Sequence, residues 1–178
     1  MQTSRRSFLK IGVIGALTLA AGGAIYRVAH RPAPPGTQLD RFVLDGDARA
    51  VLAAVIPSML GTAVPVEPAA RAAAIAGVMG RVDGAIHGLP LATQKEVQDL
   101  FGLLALGPVR RFLAGVPDSW QQATPQQVDA FLQSWRTHRI GMLQTAYQAM
   151  HDLILGSWYS DPAHWAAIGY PGPIKELS

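Results

Sequence analysis

Cysteine is absent from the 178 residues. That single gap excludes disulfides, thiolate metal sites, iron–sulfur clusters, c-type haem attachment and a cysteine nucleophile. A chain without disulfides is held by its core alone, which is feasible at this length. Strand signals are scarce as well. Beyond the first thirty or so residues, runs of Val, Ile and Thr are few and no alternating apolar–polar pattern of useful length occurs, whereas Ala and Leu abound. The expected class is therefore all-α: a small helical bundle with a long C-terminal helix and an irregular tail. Catalytic signatures are also missing. There is no GxSxG elbow, no HExxH, no phosphate-binding P-loop and no GxGxxG after a strand.

Acidic residues are missing from the first thirty positions, and this decides how the net charge of +3 is read. Arg5, Arg6, Lys10 and Arg27 lie in that stretch, so from Arg31 onward eleven basic residues face twelve acidic ones, a balance of −1. The basic character belongs to the leader, and nucleic acid is not an expected partner of the body.

What the leader does contain is specific. Residues 3–10 read TSRRSFLK, and an uncharged run covers 11–26. Arg5 and Arg6, followed by Phe8, Leu9 and Lys10, form a twin-arginine address, a receptor-read signal for exporting proteins already folded. Export of a folded protein is used when a cofactor or a partner is assembled first. No cofactor motif is present in this chain, so a partner is the natural reason for the address. A small-x-small cleavage site exists at Gly22 and Ala24, while Arg27 spoils the one ending at Ala29. Sixteen residues rise about 24 Å as a helix, short of a hydrocarbon core of roughly 30 Å unless flanking side chains snorkel. Cleavage and retention as an inner-membrane anchor both stay open. The expected divisions are a leader over 1–30, a Pro-rich, stiff spacer over 31–39 (RPAPPGTQ within it) and a helical body over 40–178.

In the body, Asp45 predicts the start of a helix with Ala48, Val51, Leu52, Val55 and Ile56 at helical spacing, ending at or just after Pro57. A turn region follows over 60–68. Glu67 and Pro68 open a second helix with Ile75, Val78, Met79, Val82 and Ile86 on one face, and Gly77 and Gly80 suggest close helix–helix contact. Gly88 and Pro90 end it. Thr93 with Glu96 reads as a capping box before Val97, Leu100, Phe101 and Leu104. Gly107-Pro108 breaks that helix, leaving a short piece over 109–113 and a loop carrying Trp120. Thr124-Pro125 with Gln127 starts the longest helix, expected to run unbroken to about Trp158.

Histidines His87, His138, His151 and His164 follow the spacer, but no two are three or four apart on one helix, so no metal site is expected. A haem between His138 or His151 and Met142 or Met150 is the alternative to weigh in a bundle. Ser157, Asp161 and His164 lie close in sequence without the elbow a hydrolase needs, and Asp161 already suits a helix cap. No catalytic residue is assigned.

Residues 158–173 read WYSDPAHWAAIGYPGP, which gathers two of the four Trp, two of the four Tyr and three of the thirteen Pro. Asp161-Pro162 predicts a short helix over 162–168, closed by Gly169. Tyr170-Pro171-Gly172-Pro173 cannot continue it. The segment reads as a bent aromatic strap that either folds over the bundle, with Trp158 and Trp165 filling a groove, or offers a rigid amphipathic surface to a partner, or does both.

Tyr159-Ser160-Asp161-Pro162, Trp165 and Ile168-Gly169-Tyr170-Pro171-Gly172-Pro173, together with the leader, resemble the small-subunit family typified by gluconate 2-dehydrogenase subunit 3. Over 39–155 the likeness is one of size and helical character only. The resemblance implies a non-catalytic accessory subunit. Its partner would be a large FAD-dependent oxidoreductase of the glucose-methanol-choline (GMC) type, which owns the flavin. The subunit supports the partner's maturation, engages the Tat translocase, carries the partner to the periplasm and can be joined by a cytochrome c subunit. The expected contact residues are Trp158, Tyr159, Asp161, His164, Trp165, Tyr170, Pro171, Gly172 and Pro173. The competing expectation is a membrane-tethered helical electron-transfer module that binds haem or quinone.

Overall fold

The first helix shows how the sequence builds the body. In α1 (Gly46–Leu60), the Asp45 side chain accepts from the Ala48 N–H at 2.8 Å and caps the N-terminus. Ala48, Val51, Leu52, Val55 and Ile56 recur at three and four, and all five are buried. The computed structural model describes residues 40–172, and these belong to one compact unit. Arg5, Arg6, Phe8, Leu9, Lys10, the apolar run over 11–26, the spacer over 31–39 and Pro173 lie outside the described residues.

All regular structure among the described residues is helical. After a 3-10 turn at Gly61–Ala63 comes α2 (Pro68–His87), capped by Glu67, whose carboxylate accepts from Ala69 N at 3.0 Å and Ala70 N at 2.6 Å. Those two backbone donors hold the Glu67 carboxyl below the usual carboxylate range. Next are α3 (Leu91–Ala105), α4 (Gly107–Phe112), α5 (Pro125–Arg136) and α6 (Gly141–Tyr159). Helix α1 is the centre of the bundle, packing on α2, α3, α5 and α6, while α6 also packs on α2 and α5. The core between them is filled by Leu52, Ile56, Val82, Ile86, Phe101, Phe131, Trp135, Met150 and Ile154, all essentially removed from water. Each such large apolar side chain contributes about 1.5–3 kcal/mol by burial.

Three expectations need correction. The helix after Pro90 starts at Leu91, two residues before Thr93, and no side chain caps it. Pro90 already has extended geometry (ψ 145), and its carbonyl accepts from Gln94 N at 3.0 Å, so the helical ladder begins there. Gln94 rather than Thr93 does the local work. Buried, it accepts from Phe42 N at 3.1 Å and donates to the carbonyls of Leu89 and His87 at 2.8 and 3.2 Å.

Second, the expected spine from Thr124 to Trp158 is two helices. The capping box at Thr124 and Gln127 is present, but α5 stops at Arg136 and α6 begins at Gly141. Residues 136–142 contribute no buried apolar side chain, since Ile140 and Met142 are exposed. Local polar groups take over the backbone there: Thr137 Oγ1 donates to Gln133 O, His138 Nδ1 accepts from Ile140 N, and Gln144 Nε2 donates to His138 O. Third, Gly77 and Gly80 make no close helix contact. A Cβ on Gly80 would meet nothing within 4 Å, and one on Gly77 only the Arg81 guanidinium at 3.7 Å.

Helix α4 is anchored by the two tryptophans that the tail does not hold. Pro108 has no N–H to give to Leu104 O, its partner in a continuing helix, and Trp120 Nε1 donates to that carbonyl instead at 2.8 Å. Trp135 Nε1 donates to Leu113 O at 3.1 Å. Edge-to-face packing of Trp120 on Phe131 and of Phe131 on Trp135, with ring centroids 5.5 and 4.8 Å apart, joins both anchors to the core.

Candidate partner-binding tail

The end of a helix leaves carbonyls without helical donors, and the tail of this chain is built on them. At the C-terminus of α6, Ser157 O accepts from Arg81 Nε at 2.7 Å and from Ser160 Oγ at 2.9 Å. Trp158 O accepts from the His164 ring at Nδ1, 2.7 Å, which fixes the tautomer with the proton on that nitrogen. Tyr159 O accepts from Trp165 Nε1 at 2.7 Å. His164 and Trp165 from the tail, Arg81 from α2 and the Ser160 hydroxyl thus close the helix.

Arg81 does more than cap. Its Nη1 lies 3.3 Å from Asp161 Oδ2, while Asp161 Oδ1 accepts from Ala163 N at 3.0 Å. One guanidinium therefore ties α2 to the last turn of α6 and to the residue that starts the tail. The expected helix over 162–168 is instead a pair of 3-10 turns, Pro162–His164 and Ala166–Ile168. His164 and Trp165 both reach back to α6, and the i→i+3 bonds from Trp165 N, Ile168 N and Gly169 N suit the tighter winding.

Gly169 closes the second turn in the left-handed region (φ 70), after which Tyr170 N donates to Trp165 O at 3.0 Å. Tyr170 meets the Trp165 ring edge-on at 5.2 Å. Gly172 has φ 97, and a Cβ there would sit 3.3 Å from Trp165 Cζ3. Its positive φ favours glycine, and a Cβ there would also crowd the Trp165 ring. The tail is a fold around Trp165.

This geometry sorts the expected contact residues. Trp158 is buried, with only 5% of its surface exposed, and His164 stacks flat on it at 3.5 Å. Trp158 is therefore spent on packing and does not lie on a contact surface. Asp161 and His164 are committed to Arg81, Ala163 and Trp158. Tyr159 and Trp165 are half-buried, while Tyr170 and Pro171 are exposed. Ile168, 55% exposed, was not among the expected contacts and stands with them on the outside. Arg81 was missed too. Its partners lie 76 and 80 residues away, and nothing local in the sequence marks it.

Ser157, Asp161 and His164 do not form a hydrolytic relay. Ser157 Oγ is buried and has no hydrogen-bond partner among the described residues, and the other two groups direct their polar atoms elsewhere. The other described histidines are each engaged locally: His87 Nδ1 lies 2.8 Å from Asp83 O, His138 bonds Ile140 N, and His151 Nδ1 lies 3.0 Å from Asp152 Oδ1. The His151 ring, with help from Gln148, holds the Asp152 carboxyl below the usual range. Met150 is buried and Met142 exposed, so the residues weighed for a haem do not share one environment. No group of three or more His, Asp or Glu able to hold a metal occurs among the described residues. A groove of about 360 Å³ beside α1 and α5, lined in part by Pro57, Ser58, Trp120 and Val128, carries one cation, Arg71, and one anion, Asp129.

Comparison of the chain with family models, with curated proteins and with solved structures returns no match.

Proposed function

We propose that the protein is a non-catalytic accessory subunit of the gluconate 2-dehydrogenase subunit 3 kind. In this reading it binds a large, leaderless GMC-type FAD-dependent dehydrogenase in the cytoplasm, supports its maturation and takes it through the Tat pathway to the periplasm. The flavin and the chemistry belong to the large subunit, and a cytochrome c subunit would accept its electrons.

The observation supporting this reading is the division of labour within the tail. Its inner side chains, His164 and Trp165, cap the end of α6, His164 also stacking on Trp158, and Arg81 fixes the start of the strap. Ile168, Tyr170 and Pro171 remain outside on a short, hydrogen-bonded frame. A pre-ordered apolar and aromatic surface binds with little loss of conformational freedom, which is the property an escort needs. The twin-arginine address and the tail motif supply the rest of the reading.

The test uses outward residues, so that the fold is left intact. Ile168→Ser with Tyr170→Ala in the full chain should leave helicity unchanged and strand the flavoprotein in the cytoplasm. Normal export of the flavoprotein with this variant would overturn the tail assignment. A Soret band in the purified chain would favour the electron-transfer alternative instead.

A further inference from the structure

A second surface lies far along the chain from the tail. Residues 100–117 contain no acid, yet carry Arg110 and Arg111. They include α4, whose last residue, Phe112, is 84% exposed, and whose N-cap, Leu106, is 55% exposed. Gly107, Pro108, Arg110, Arg111, Phe112 and Pro117 line one groove of about 450 Å³. Arg110, one of these lining residues, is half-buried, and its Nε is buried and donates to nothing among the described residues. A guanidinium donor without an acceptor is costly, and half-buried Arg110 with exposed Arg111 offers an anionic oxygen two charge-assisted partners at this groove. The apolar rim argues that this oxygen arrives with hydrocarbon attached.

We infer that the α4 corner rests on an anionic phospholipid surface, with Arg110 and Arg111 against the phosphates and Phe112 and Leu106 at the acyl boundary. Paired cationic and aromatic–aliphatic side chains are what an interfacial contact requires. The two arginines with no acid anywhere in 100–117, beside exposed Phe112 and Leu106, give the cationic and apolar halves of a lipid contact; an acidic protein is the other occupant that the test separates. The same chain also carries the sixteen-residue uncharged run behind Arg5, Arg6 and Lys10, whose chemistry is that of a membrane segment. The proposal is independent of the subunit reading, since it involves neither the tail nor a flavoprotein.

The lack of native cysteine makes the test direct. In the full chain, Phe112→Cys is labelled with bimane, an apolar fluorophore, and a second protein carries the label at Gln126→Cys on the exposed start of α5. Each is mixed with vesicles containing phosphatidylglycerol, or phosphatidylcholine alone, that bear doxyl-lipid quenchers. The label at 112 should be quenched in the anionic vesicles only, and the label at 126 in neither. Arg111→Glu should weaken that quenching about 25-fold in lipid concentration, because loss and reversal of one surface charge each change partition by roughly fivefold. Vesicle-bound protein with an unquenched label at 112 would overturn the proposal, whether the leader alone had bound or the corner serves an acidic protein. Equal quenching at 112 and 126, or quenching indifferent to Arg111→Glu, would overturn it as well.

Discussion

Replacing Arg81 by Ala removes a side chain that joins α2, the end of α6 and the start of the tail. Its Nε hydrogen bond to Ser157 O, at 2.7 Å, is charge-assisted and partly buried, a class contributing about 1.5–3 kcal/mol. About a third of the side chain is exposed, which argues for the lower half of that range. The ion pair with Asp161 adds no more than about 1 kcal/mol at such exposure. Ala is the better helix former and returns a few tenths of a kcal/mol. The net loss is about 2 kcal/mol. At roughly 3 °C per kcal/mol for a domain of this size, the Tm should fall by about 6 °C. Thermal unfolding followed by circular dichroism measures this. The local effect should exceed the global one, because the amides of Ala163 and His164 are bonded to Asp161 and begin the tail's hydrogen-bonded turns, so hydrogen exchange in the tail should quicken before the helices lose protection. Arg81→Lys keeps the charge but cannot address a carbonyl and a carboxylate with one planar fork, and should fall between the two. A Tm for Arg81→Ala within about 1 °C of the parent, with unchanged exchange in the tail, would refute the account of how the tail is held.

Two further predictions concern the body. Gln94→Leu keeps the volume but orphans Phe42 N and the carbonyls of Leu89 and His87, so urea unfolding should show a loss of about 2–4 kcal/mol with the denaturant slope unchanged. Glu67→Gln tests the helix cap by pH. The folded pKa of Glu67 lies below its unfolded value, so its contribution is present above the unfolded pKa and disappears as pH falls through the folded one. The stability difference between parent and variant should therefore be full at neutral pH and shrink in acid. A difference constant across that range would show that the two backbone donors do not act on the charge.

The parts of this fold that could be read from the sequence are those whose causes are local. Asp45 and Glu67 mark helix starts because a carboxylate three residues before a free N–H can only act nearby, and the buried stripes of α1 and α2 repeat at three and four. The box at Thr124 held for the same reason. Thr93 and Glu96 carried the same pattern and misled, because Pro90 had already set the backbone and a long-range partner, Phe42, claimed Gln94. The break at 137–140 was not legible, because apolar Ile140 and Met142 prolong the helical pattern in the sequence, while only the fold shows them exposed and polar groups closing the backbone there. In the tail, composition announced an aromatic strap and Gly169 its turn. Which ring faces inward depended on the unfilled carbonyls of α6 and on Arg81, a residue from another helix.

The central claim, that this chain escorts a flavin enzyme, is tested most directly by purifying the tagged full-length protein from its native host. Mass spectrometry and flavin fluorescence are then read on the same eluate. The account predicts a leaderless flavoprotein in near-equal amount, lost when Ile168→Ser and Tyr170→Ala are introduced together. A colourless chain that elutes alone, or a flavoprotein retained by that variant just as well, would contradict it.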